Sequence, residues 1–75
     1  MNYRDKQATL ELVHRYIQAG ESLTVQQYQR ITSWLGGMSF REVGEAEGHT
    51  GQAISQAVKR DLKKIQEFAK SNDKQ

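Results

Sequence analysis

No proline interrupts these 75 residues, so a helix once started is stopped only by glycine or by a change of capping chemistry. The punctuation that remains is regular. Asp5 opens a segment in which Leu10, Val13 and Ile17 recur at steps of three and four, with Leu12 and Tyr16 beside them, and Gly20 follows at the place suited to a left-handed residue. Thr24 and Gln27 form a capping box, as do Ser39 and Glu42. Gly36 and Gly37 close the second segment, Gly48 closes the third, and Thr50 caps a fourth. No window of alternating β-branched residues suggests a strand. The pattern predicts an all-α fold, a small bundle of about four helices over 5–19, 25–35, 40–47 and 50–69, with a polar tail at 71–75 that frays.

The expected inward residues are Tyr28, Ile31 and Leu35 on the second helix, with Trp34 in the core, and Phe40, Val43 and Ala46 on the third. Ile54, Val58, Leu62, Ile65 and Phe68 make a long apolar stripe on the fourth. The far half of that stripe needs a cover. Either the first helix supplies it, through Leu10, Val13 and Ile17, or a second copy does. A domain of this length is stabilised by only about 3–5 kcal/mol, and without cysteine it has no disulfide or thiolate metal site to add to that. A single domain spanning 1–75 is expected. The first twenty residues mix charges with apolar residues and do not read as a signal peptide. No apolar run reaches membrane-spanning length. The expected location is a bacterial-type cytoplasm, with no membrane partner.

Residues 39–60 carry the functional information. Two helices crossing steeply through a short turn need a small residue at the crossing, a positive-φ residue in the turn, a cap on the second helix and an apolar residue facing the first. Gly44, Gly48, Thr50 and Ile54 meet these needs in order. That is a helix-turn-helix with a long C-terminal recognition helix. Burying Ile54 leaves Thr50, Gly51, Gln52, Ser55, Gln56 and Lys59 on the other side. Glutamine can pair with the adenine edge in the major groove, and hydroxyls reach bases or phosphates. Gly51 permits close backbone approach, and the start of a helix favours a phosphate. Arg60, Lys63 and Lys64 follow, placed for the sugar-phosphate backbone. Ser39 and Arg41, at the start of the third helix, complete the candidate DNA-contacting set.

The formal charge is only +2, so distribution matters more than the total. Residues 39–48 hold Arg41 against Glu42, Glu45 and Glu47. Residues 50–64 hold Lys59, Arg60, Lys63 and Lys64 against Asp61. A polyanion meets the second group first.

The segment GMSFREVGEAEGHTGQAISQAVKRDLKKI resembles the helix-turn-helix of bacterial, phage and plasmid regulators. It is similar to sigma-70 region 4, which often continues into a basic run such as KRDLKK. It is similar also to plasmid repressors of the KorA/TrfB type, in which a phrase like GQAISQAV opens the recognition helix. The likeness covers about residues 36–66. It implies base and phosphate contacts for Thr50, Gly51, Gln52, Ser55, Gln56 and Lys59. Two departures stand out. His49 occupies a turn position usually apolar and is expected to pack there. Glu45 and Glu47 make the supporting helix acidic, so both are expected to point away from DNA.

The implied function is a small sequence-specific DNA-binding regulator, a repressor acting by promoter occupancy. One recognition helix reads few base pairs, so a homodimer on two half-sites is expected. A module contacting RNA polymerase or a regulatory protein is the competing class. His14 and His49 lack the cysteines or paired carboxylates of a metal site. No nucleophile–base set, phosphate-binding glycine loop or cofactor motif points to an enzyme.

Overall fold

The computed structural model describes residues 5–73. These form four helices and no strand: α1 Lys6–Gln18, α2 Val25–Leu35, α3 Phe40–Glu47 and α4 Gly51–Asp73. Each start follows from its cap. The Asp5 carboxylate accepts from the Ala8 amide at 3.0 Å. Thr24 and Ser39 head complete capping boxes, in which Gln27 and Glu42 reach back to the cap amides at 2.9 and 3.1 Å. The Thr50 hydroxyl accepts from the Ala53 amide at 3.1 Å. None of the described helices is long and apolar enough to cross a membrane.

The core is built on α4. Ile54, Val58, Leu62 and Ile65 are buried along one stripe, and Val13, Tyr16, Ile31 and Val43 close over it from the other three helices. The first helix therefore covers the far half of α4, and Tyr16 meets Phe68 edge-on with ring centroids 5.3 Å apart. Phe68 itself is half-buried. This cover leaves the Leu62–Ile65 stripe no role in joining two copies.

Three expectations need correction. The face that α1 turns to α4 is Thr9, Val13 and Tyr16, while Leu10 is half-buried and Ile17 is exposed. Thr9 can enter the core because its hydroxyl donates to the Asp5 carbonyl at 3.0 Å, which removes the cost of burying it. Ala46 is exposed, and the buried residues of α3 are Val43 and Gly44. Helix α4 runs on to Asp73 instead of ending near Ala69, since no glycine or proline stands there to stop it. Ser71, Asn72 and Asp73 of the expected polar tail are thus helical, and the remainder lies outside the described residues. Trp34 is half-buried and stacks on Phe40, centroids 5.2 Å apart, against the edge of the core.

Candidate nucleic-acid interface

The α3–turn–α4 unit is locked by backbone proximity. A Cβ on Gly44 would lie 2.6 Å from the His49 carbonyl oxygen and 3.0 Å from the carbonyl atoms of Thr50. Only glycine lets the turn pass this close. Gly48 holds φ +78° in the left-handed region, and the His49 amide returns to the Gly44 carbonyl at 2.8 Å. One turn later α4 itself meets α3: a Cβ on Gly51 would lie 3.1 Å from the backbone N and Cα of Arg41. The close approach expected at Gly51 is therefore to α3. Ile54, 1 % exposed, then packs into the core.

With that side fixed, the outward side of α4 is fixed too. Gln52, Gln56, Lys59 and Lys63 are all exposed. At about 100° per residue they fall within one stripe about 60° wide and about 16 Å long. Ala53, Arg60 and Lys64 flank it, also exposed, while Ser55 sits half-buried at its edge. The amide side chains occupy the end nearest the turn, and the cations occupy the continuation. Thr50 is exposed at the head of the stripe. Its oxygen is taken by the Ala53 amide, but its O–H remains a donor. Arg41 is exposed on α3, its backbone passing where Gly51 crosses. Ser39 stays apart at the start of α3, exposed, its oxygen accepting from the Glu42 amide at 3.1 Å.

The acidic residues are sorted by their partners. The Arg30 guanidinium takes both oxygens of Glu47, at 2.7 and 3.2 Å, and Gln26 adds a third bond at 3.0 Å. The pair is mostly shielded from water, with 12 % and 19 % of the two side chains exposed. The hydrogen bond from Arg30 is the main reason that the Glu47 carboxyl titrates below its ordinary value, and Arg30 is raised by the same contact. Asp61 is also drawn inward. It is 6 % exposed and accepts from Gln27 at 3.3 Å, so it is removed from the face that Lys59, Arg60, Lys63 and Lys64 share. Glu42 is exposed and held low by the Ser39 amide first and the Ser39 hydroxyl second. Glu45 stays exposed and pairs with Arg41 at 3.1 Å. His49, expected to pack at the turn, is exposed as well.

The chain matches no protein-family model, no curated protein and no solved structure. Its function is therefore read from the side chains that α3 and α4 place together. Sequence reasoning missed Arg30 and Gln27, which brace α3 and α4 from α2. Gln27 was legible as half of a capping box, but its amide has two ends: the oxygen serves the cap, and the nitrogen donates to Asp61. The Arg30–Glu47 pair spans seventeen positions of sequence and carries no local signal.

Proposed function

We propose that this chain binds double-stranded DNA sequence-specifically, with the first turns of α4 in the major groove, and acts in the cytoplasm as a small transcriptional regulator that represses by occupying its site. One observation carries the reading. Gln52 and Gln56 stand exposed on the same stripe as Lys59 and Lys63, on a helix whose opposite side is wholly committed to the core. Two amides one turn apart are placed to pair with adenine edges. The cations follow beyond the groove, where phosphates run. The groove is about 12 Å wide and admits a helix of this kind.

The test is a mobility-shift assay on DNA sites selected from a random pool. Gln52→Ala and Gln56→Ala should each cost about 1–3 kcal/mol of discrimination between the preferred and a scrambled site, with an unchanged helical spectrum. Equal binding by both variants would refute the assigned reading face. Capture of RNA polymerase or another protein, with no DNA retained even at low salt, would assign the chain to protein recognition instead.

A further inference from the structure

Helix α4 buries one aspartate in an otherwise apolar inward side. Asp61 is 6 % exposed, and Val58 and Ile65, one turn before and one turn after it, are fully buried. Only half of its carboxylate is served. Oδ1 accepts from the Gln27 amide at 3.3 Å, whereas Oδ2 is closed to solvent and has no hydrogen-bond partner. Arg30 does not compensate it. That guanidinium commits two N–H groups to Glu47, and its pKa is raised most by the bond to Glu47 and least by Asp61. A buried acceptor left unpaired lowers stability, and an apolar side chain at the same place would remove that loss. Stability therefore does not account for an aspartate here.

What Asp61 adds is direction. Helix α2 holds Gln27 at two points: its backbone amide donates to the Thr24 hydroxyl at 3.1 Å, and its side-chain oxygen accepts from the Thr24 amide at 2.9 Å. The side-chain nitrogen thus reaches out from a fixed base, and Asp61 Oδ1 is the acceptor it meets. This contact ties the first turn of α2 to the middle of α4. The rest of the inward side of α4 is Ile54, Val58, Leu62 and Ile65. Apolar contacts of suitable volume tolerate small rotations, whereas a hydrogen bond depends on distance and angle. Gln52 and Gln56 ride on the same helix, nine and five residues before Asp61. A rotation of α4 by about 20° moves a side-chain tip, about 5–6 Å from the axis, by about 2 Å. That is enough to break an amide–base pair.

We propose that Asp61 is a positioning residue for sequence recognition: through Gln27 it fixes the rotation of α4 against α2, and with it the aim of Gln52 and Gln56, at a cost in stability. The role rests on the DNA reading of those two amides. A residue kept only for folding loses stability and function together when it is replaced. Asp61 should separate the two.

Asp61→Asn and Asp61→Leu remove the same charge, so comparing them isolates the hydrogen bond. Asparagine keeps a side-chain oxygen for Gln27, and leucine keeps none. In thermal melts followed by circular dichroism, Asp61→Leu should melt about 4 °C or more above the wild type. In mobility shifts on the selected and a scrambled site, Asp61→Asn should keep the wild-type preference. Asp61→Leu should lose about fivefold or more of it, roughly what one misaligned amide–base pair costs. Both should bind the scrambled site alike, with the same salt dependence. Without DNA, the NMR amide resonances of residues 52–60 should be single and sharp in the wild type and Asp61→Asn, and broadened or doubled in Asp61→Leu. An Asp61→Leu protein that melts below the wild type and loses preference would reduce Asp61 to a structural residue and overturn the role. Sharp, single resonances in Asp61→Leu would overturn the locking of α4. A wild type that ignores DNA sequence overturns the DNA reading and the specificity role with it. A wild type that discriminates, with Asp61→Leu equal to Asp61→Asn, overturns the role of Asp61 alone.

Discussion

Replacing Gly44 by alanine sets two effects against each other. Alanine favours the interior of α3 by about 1 kcal/mol over glycine. Its methyl group, however, would lie 2.6 Å from the His49 oxygen and 3.0 Å from the Thr50 carbonyl carbon and oxygen. Those are backbone atoms, tied to Gly44 by the 2.8 Å bond from the His49 amide, so they cannot swing aside as a side chain would. Overpacking costs about 1–3 kcal/mol, and a clash confined to backbone belongs at the upper end. The net loss is about 2 kcal/mol, a large share of the ~3–5 kcal/mol available to so small a domain. At about 4–8 °C per kcal/mol, the midpoint of a thermal melt followed by circular dichroism should drop by about 8–16 °C. Gly48→Ala meets nothing within 4 Å but inherits φ +78°, which costs an L-residue about 1–2 kcal/mol and leaves a smaller drop. Gly51→Ala, at 3.1 Å from Arg41, asks α3 to yield by only a few tenths of an ångström and should be milder than Gly44→Ala. A Gly44→Ala protein that melts at or above the wild type would mean that the turn does not pass over α3 there, and the orientation assigned to α4 would fall with it.

Lys59→Gln and Lys63→Gln should weaken DNA binding equally across sequences and each reduce the slope of log affinity against log salt by about 0.9; an unchanged slope in filter-binding titrations would place both side chains away from phosphates. Glu45→Gln should raise DNA affinity by about two- to fivefold by releasing Arg41 from an exposed pair. The gain should vanish in an Arg41→Gln background, and a gain that persists there would show that Arg41 is not its route. Because Arg30 holds Glu47 below its ordinary 4.5, the stabilisation from that pair is complete above that pH and is lost as pH falls through the lower folded value. Urea midpoints measured from about pH 6 down to about pH 3 should therefore fall less in Glu47→Gln than in the wild type. Parallel curves would rule the pair out as a source of acid sensitivity. Glu42 contributes with the same sign and accounts for part of the fall that remains.

The beginnings of α2, α3 and α4 were legible because a cap is local chemistry: Thr24, Ser39 and Thr50 each meet an amide three residues on. The tight turn was legible for a similar reason, since Gly44 and Gly48 answer a demand made within five residues. The inward face of α1 was not. A 3.6-residue period allows both the Leu10–Ile17 stripe and the Thr9–Tyr16 stripe, and the choice between them is made by α4, far away in sequence. Tyr16 finds Phe68 there, and Thr9 carries its own acceptor in the Asp5 carbonyl. The end of α4 was not legible, because a polar run does not stop a helix whose backbone geometry lets it continue. Within the site, the exposed positions of Gln52, Gln56, Lys59 and Lys63 followed from periodicity once Ile54 was placed. The partners of Glu47 and Asp61 lie on α2, and no spacing rule reaches them.

Those two partners decide the character of the surface more than the net charge does. A balance of +2 spread evenly would attract a polyanion weakly. Here α2 takes carboxylates out of the balance on one side of the molecule: Arg30 and Gln26 hold Glu47, and Gln27 holds Asp61. What stays exposed on α4 between Thr50 and Lys64 is two amides followed by four cations with no acidic side chain among them. The second helix, which carries no candidate contact of its own, thereby sets the sign of the field that α4 presents. Glu45 is the exception that gives this sorting its consequence. It remains on the α3 surface against Arg41, so any phosphate that approaches the head of α4 must compete with it for Arg41. Further along, Lys59 and Lys63 have no exposed carboxylate between them, and the next one is Glu67, one turn beyond Lys63. Anion attraction should therefore be strongest between Lys59 and Lys64 and weaker at Arg41 and beside Glu67, which leaves discrimination at the head of the helix to hydrogen bonding by Gln52 and Gln56.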